Sequence, residues 1–374
     1  VYHPFVVYQF YVHNFRCLEN FKLPIAGRRS LLLIGKNGAG KTTVGLALEI
    51  LQRIARGTNR VAELVKPKDL ARGRKELPMR FEIAVELGGT RYGYDLAFEF
   101  PDGFKELRVR EETLTVGGEV VFSRELAKVY LAAPRKDKEA SFSIDWHLVA
   151  LPIIQERSED DPIFVFKRWL ARMLIFRPMP SLIRGDSKDE TLEPNLQVTD
   201  FGSWFSGLLA YAPSAYSRID KFLRAVMPDF TDIKNPIVGA ESRSLTVQFL
   251  SRQVSLSLPF EDLSDGEKCF MIGALVIAAN QAYGPILCFW DEPDNYLAPS
   301  EVQQFVMALR RAFESCGQLI ATSHSPEGIR SFSNENTLLF HRNSHLEPTT
   351  VHPLDELQLD GDLVGALTRG DLEP

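Results

Sequence analysis

Four short stretches of this chain carry residue types and spacings suited to phosphate chemistry. The first is Gly35-Lys36-Asn37-Gly38-Ala39-Gly40-Lys41-Thr42, followed by Thr43. It fits G-x-x-x-x-G-K-[ST], the pattern of a phosphate-binding P-loop, with the apolar run SLLLI (30–34) before it and a helical apolar pattern after it. Glycines let the backbone curl so that its N–H groups converge on phosphate oxygens. The N-terminus of the following helix adds a favourable dipole. In such a loop the lysine, Lys41, reaches the terminal phosphates and Thr42 binds Mg2+. The second stretch is Asp291-Glu292, at the end of the apolar run ILCFW (286–290). A buried strand ending in Asp can deliver a carboxylate to a Mg2+ beside the P-loop, and Glu292 is then placed to orient or deprotonate the attacking water. Alone, this arrangement reads as a solvated strand end; downstream of a P-loop the chemical reading is the better one.

The third stretch, Leu263-Ser264-Asp265-Gly266-Glu267-Lys268, stands at the start of a helical run that leads into ILCFW. Ser or Asp before a helix is also an ordinary N-cap, but the same helix start is suited to an anion. The fourth is His324, in ATSHSP (321–326) after another apolar run, 318–322.

In this order the four stretches resemble the Walker A, signature, Walker B and switch-histidine motifs of ABC ATPases. LSDGEK has the LS-x-GE form of the signature, and Asn14-Phe15-Arg16 with GKNGAGKT resembles the start of the RecF, SMC and OLD-like group. The resemblance implies that Gly35, Lys36, Asn37, Gly38, Ala39, Gly40, Lys41, Thr42, Thr43 and Arg16 hold ATP, and that Thr42 and Asp291 hold Mg2+. It makes Lys41, Glu292 and His324 catalytic, and sets Ser264 and Gly266 against the γ-phosphate bound by a second copy. Two departures stand out. Ala298 takes the place after Asp291-Glu292 where an Asp or His is usual, and no glutamine follows the 174–176 run, so Arg177 is the first substitute and Gln155 the second.

The chain must build the elements that position these groups. Apolar runs at 30–34, 174–176, 286–290, 318–322 and 337–340 read as strands buried on both faces, with helices over 41–56, 163–173, from 266, and over 300–313. Alternating runs at 81–87, 92–100 and 107–116, separated by Gly88-Gly89 and Gly117-Gly118, read as antiparallel hairpins, with further strands at 8–12 and 21–23. Residues 177–193 read as an exposed loop, 197–227 as helical with Trp204, Phe205 and Phe222 in the core, and 245–258 as a hairpin. The fold expected is an α/β ABC ATPase head: a mixed parallel core sheet, an antiparallel sheet and a small inserted helical lobe. Its expected parts are 1–180, a lobe at 181–265 leading to the signature, 266–352, and a short acidic tail at 353–374.

Composition narrows the setting. The 374 residues are 45% hydrophobic and 25% charged with a formal net charge of −6, so the molecule is not a polycation. The basic run Lys66, Lys68, Arg72, Arg74 and Lys75 has no interleaved aromatics for base stacking, and a solvated loop is preferred to a nucleic-acid contact. Cys17, Cys269, Cys288 and Cys316 form no C-x-x-C pair, which argues against zinc and fits a reducing cytoplasm. The start reads as a strand rather than a signal peptide, and no run is long enough to span a bilayer. Arg16 can serve a nucleotide or a surface ion pair, and the tail acids Asp360, Asp362, Asp371 and Glu373 a partner or a frayed end. The expected function is slow ATP hydrolysis by an ATP-sandwich homodimer or higher homo-oligomer. It would act as a nucleotide-gated sensor or scaffold for a separate effector, a nuclease or toxin, in antiphage defence. The alternative is a DNA repair ATPase that binds DNA directly.

Overall fold

The computed structural model describes residues 6–132, 140–239, 241–357 and 365. The tail acids named above lie outside them. The chain divides into two compact units: one spans 1–28, 34–172 and 337–374, the other 29–33 and 173–336.

The second unit is built on parallel strands in the order Leu174–Phe176, Leu287–Trp290, Gln318–Thr322 and then residues 30–33 of Ser30–Ile34. Every residue of these strands is buried, which is why each reads as an unbroken apolar run rather than an alternation. Helix Pro299–Phe313 buries Val302, Phe305, Val306, Leu309 and Phe313, the i, i+3, i+4, i+7, i+11 pattern of one helical face. Phe305 packs edge-on to Trp290 at 5.7 Å and meets Phe270 of helix Asp265–Tyr283 at 5.8 Å. Because the strands are parallel, their C-terminal ends share one edge, where open α/β sheets place ligands. Arg177, Asp291 and Ser323 are the residues that leave that edge.

The lobe between residues 181 and 265 holds the expected helices, Phe201–Tyr211 and Ala215–Val226, with Trp204, Phe205 and Phe222 buried. It also carries two small antiparallel sheets. One contains the expected hairpin, Thr246–Ser251 with Val254–Pro259, and adds Phe230–Lys234. The other joins Asp186–Ser187, Ser242–Ser244 and Ile237–Val238. The exposed loop expected at 177–193 is corrected in part: Pro180 is buried, and Ile183, Gly185 and Ser187 are buried in alternation, so the segment is fastened down along one side.

The first unit carries an eight-stranded antiparallel sheet. In spatial order its strands are Phe21–Lys22, Val6–His13, Met79–Leu87, Thr90–Glu99, Arg108–Val116, Glu119–Glu125, Lys128–Leu131 and Ala140–Ser143. Gly88-Gly89 and Gly117-Gly118 take positive φ at both positions, as tight hairpin turns of right-handed twist require. Helix Lys41–Ala55 packs in this unit beside Pro162–Ala171, and Arg56 beyond it donates to the Ala171 carbonyl at 2.8 Å. Within the basic run, Arg72 and Arg74 both pair with Glu19, and Lys75 lies over the Phe100 ring, so much of its charge is engaged within the unit.

A buried polar knot joins the sheet to the loop that follows it. Glu112 accepts from the backbone N–H groups of Ala150 and Leu151 at 2.7 and 2.8 Å and from the Tyr94 hydroxyl at 2.9 Å. Arg124, fully covered, lies 3.8 Å from it and donates to the carbonyls of Leu126, Asp145 and Leu148. Burial pushes the Glu112 carboxyl above and the Arg124 guanidinium below their ordinary ranges; the Ala150 and Leu151 N–H groups and then Arg124 oppose the shift of Glu112, and Glu112 opposes that of Arg124. Removing one member of a buried pair strands the other. Arg124→Met is therefore expected to lower the unfolding free energy by about 3–5 kcal/mol, read by urea denaturation of the full chain; a change under about 1 kcal/mol would show the knot to be dispensable.

Candidate functional site

The phosphate loop begins where strand Ser30–Ile34 ends. Gly35, Gly38 and Gly40 take φ of 140°, 80° and 103°, values open to glycine, so the loop curls as its composition implies. Gly40 is also the N-cap of helix Lys41–Ala55 and has no side chain to cap the first-turn N–H groups, which suits an anion there. Lys41 is buried and folds back over the loop, donating to the carbonyls of Gly35 at 2.7 Å and Lys36 at 3.2 Å. The loop is backed by the first unit's own residues. Thr349 donates its hydroxyl to the Ala39 carbonyl at 2.8 Å and its N–H to the Cys17 carbonyl at 2.9 Å. A Cβ on Gly40 would lie 2.7 Å from the Thr349 hydroxyl and 2.9 Å from the Cys17 sulfur, so glycine is required by space as well as by conformation. His345 approaches the loop near Gly38.

Arg16 is in an ion pair with Asp69 at 3.1 Å and lies over the Phe15 ring, the surface-pair alternative for this residue.

In the second unit the structure brings Asp291, Glu292 and His324 together. The hydroxyl of Thr322, on the fully buried last residue of its strand, donates to Asp291 Oδ1 at 2.7 Å and accepts the Glu292 N–H at 2.9 Å. One side chain thus sets the direction of one carboxylate and the backbone of the next. Glu292 has φ of 55°, a left-handed conformation that a residue with a Cβ rarely adopts. Its carboxylate remains partly exposed, 3.5 Å from His324 Nε2. On the far side of Asp291, Arg177 Nε stands 3.9 Å from Oδ2. Of the two substitutes for the missing glutamine, Arg177 thus reaches the carboxylate, whereas Gln155 is an exposed residue of the first unit.

Ser264 caps helix Asp265–Tyr283 in a reciprocal box. Its hydroxyl accepts the Glu267 N–H at 3.3 Å and donates to the Glu267 carboxylate at 2.7 Å, which also takes the Ser264 N–H. Gly266 lies against the carbonyl of Tyr296, in the loop after Glu292, and Ala298 is the N-cap of helix Pro299–Phe313. The cap reading of LSDGEK is thus seen directly, and it occupies the same residues that the signature reading names. The sequence reading does not single out Thr322, Asp294, Ser325 or His345. The signal available for the first three is the density of hydroxyls around His324 and a second Asp two residues after Glu292.

These residues fit Mg2+ and a nucleotide. The glycine loop keeps the positive-φ backbone that lets its N–H groups converge, and Asp291 is a hard oxygen donor whose direction is set. The left-handed backbone of Glu292 has a measurable cost. Asn tolerates that conformation better than Glu, so Glu292→Asn is expected to raise the unfolding free energy by roughly 0.5–1 kcal/mol in denaturant titrations. A decrease would mean that the Glu292 side chain stabilises the fold instead.

Residues 30–329 match the family described as "AAA domain, putative AbiEii toxin, Type IV TA system". No curated protein sequence matches the chain. Among solved structures it is similar to an SMC head bound to the C-winged helix domain of ScpA, at 12% identity and TM-score 0.58 over 94% of this chain and 99% of that one. It is also similar to an SMC head domain with an extended coiled coil, bound to the C-terminal domain of ScpA, from Pyrococcus furiosus. There the identity is 10% and the TM-score 0.56, over 94% of this chain and 97% of that one. Among the described residues no helix is long and apolar enough to cross a membrane. The chain belongs to this AAA-domain family and has the fold of an ABC-type ATPase head of the RecF, SMC and OLD-like group.

Proposed function

We propose that this protein hydrolyses ATP slowly and completes its site only when two copies meet, acting as a nucleotide-gated switch for a partner protein. The observation that carries the reading is the joint hold of Thr322 on Asp291 and Glu292, at the same strand ends that His324 leaves. In chain order the glycine loop follows directly on another strand of that parallel set.

In this reading the loop 35–43 and Lys41 bind the phosphates through backbone N–H groups and one ammonium. Thr42 and Asp291 hold Mg2+, which when bound offsets the charge on the phosphate oxygens. Glu292 takes the proton of the attacking water, and His324 contacts the γ-phosphate and keeps the Glu292 carboxylate turned toward it. Arg16 is a nucleotide contact only if it leaves Asp69. Ser264 and Gly266 serve the γ-phosphate of the second copy, with the helix N-terminus of Asp265–Tyr283 supplying the dipole.

The domain plan proposed with this function has nucleotide-loop, signature-lobe and carboxylate parts at 1–180, 181–265 and 266–352, with 353–374 as a tail. An effector partner, nuclease or toxin, in antiphage defence is supported by the toxin and toxin–antitoxin terms of the family description. The SMC heads of this fold in the solved structures carry a partner protein. Direct DNA binding is the weaker reading, because Arg72 and Arg74 of the basic run are paired with Glu19.

Glu292→Gln tests the proposal. It is expected to bind ATP with wild-type affinity, to dimerise in ATP when followed by light scattering, and to lose about 10²–10⁴-fold in kcat. Turnover at the wild-type rate would remove Glu292 from the role of base. Lys41→Ala is expected to abolish nucleotide binding in a fluorescent-nucleotide titration, and retained binding would remove the loop from the site.

A further inference from the structure

We propose that Asp294 is a positioning residue for the Glu292–His324 pair. The proposal rests on the hydrolytic reading above and adds to it a part that neither the family nor the motif order assigns. Asp294 is buried and lies two residues beyond Glu292, in the loop between Trp290 and helix Pro299–Phe313. Its Oδ2 accepts the Ser323 hydroxyl at 2.5 Å and the Ser325 hydroxyl at 2.6 Å. These lengths belong to charge-assisted O–H···O⁻ bonds, about twice as strong as neutral ones.

Ser323 and Ser325 are the two neighbours of His324 in the chain. A single carboxylate oxygen therefore grips the histidine's backbone from both sides. The grip is reinforced within the turn: the Ser325 N–H donates to the Ser323 hydroxyl at 3.0 Å, and the Gly328 N–H donates to the Ser325 hydroxyl at 3.0 Å. The loop carrying Glu292 and the turn carrying His324 belong to different strands, and Asp294 is where they are tied. With Thr322 holding the Glu292 N–H, the clamp fixes both ends of the 3.5 Å separation between the Glu292 carboxylate and His324 Nε2.

Gly328 shows how closely the clamp is built. A Cβ at this position would overlap Asp294 Oδ2 and lie 2.5 Å from the Ser323 hydroxyl. Only glycine leaves the oxygen room for both hydroxyls. The part assigned to Asp294 is an indirect one. It acts through His324 and Glu292.

Steady-state ATP turnover by this chain tests the clamp. Asp294→Ala is expected to lower kcat about 10–100-fold, the scale on which a small misplacement acts, with KM for ATP unchanged. Asp294→Asn keeps an amide oxygen to accept the hydroxyls and should fall between wild type and Asp294→Ala. Gly328→Ala should reproduce the loss with Asp294 still present. In a His324→Ala background, Asp294→Ala should add less than about 2-fold, because residues acting as one unit are non-additive. Independent, multiplicative losses, or wild-type kcat in Asp294→Ala, would overturn the proposal. If Asp294→Ala does not fold, the isosteric Asp294→Asn decides, with wild-type kcat counting against the clamp. Wild-type protein without turnover, or unaffected by Glu292→Gln, would indict the hydrolytic reading instead.

Discussion

The Thr322 hydroxyl is the contact on which the arrangement of the carboxylates turns. It donates to Asp291 and accepts from the Glu292 N–H, and it is fully buried at a strand end. A hydroxyl can do both at once, donating its proton and accepting at a lone pair. Valine would fill the same space and remove both hydrogen bonds. The left-handed Glu292 is tolerable because its N–H has this acceptor, and strain of this kind persists only where the surroundings over-determine it. The parallel strands supply that determination: each is buried along its whole length, so none can slide to relax its end.

Burial along whole strands also explains what was legible from the sequence. SLLLI, LCFW and QLIAT announce buried parallel strands, and the glycine loop and the DE pair are readable because each sits directly after one. Helix Asp265–Tyr283 begins where LSDGEK predicts, since Ser264 and Glu267 cap it locally. The hairpins at Gly88-Gly89 and Gly117-Gly118 follow from turn chemistry within a few residues.

What was not legible depends on contacts distant in sequence. Glu119–Glu125, Lys128–Leu131 and Ala140–Ser143 extend the antiparallel sheet, but most of their residues are exposed or half-buried whatever their type, and only Phe122, Arg124 and Val129 are buried. The burial within 180–187 is hidden by a composition of Pro, Ser, Asp and Lys typical of loops. Thr322, Ser323 and Ser325 are ordinary residue types whose roles appear only once the strand carrying them lies beside Leu287–Trp290. The same holds for Arg16, where type and position left two uses open and the acceptor at Asp69, 53 residues away, selects one in this structure.

Thr349 closes the back of the glycine loop from a position 310 residues beyond Ala39. The earliest functional motif in the chain is thus completed by one of its last described segments. During synthesis the loop and its helix emerge first, while the hydroxyl that fixes the Ala39 carbonyl, and the strand Thr337–His341 whose Phe340 carbonyl abuts Gly35, are still unmade. A nascent chain would carry the motif without its rear support. Rear support of the loop is then a late event, one that waits until the ribosome has delivered Thr349.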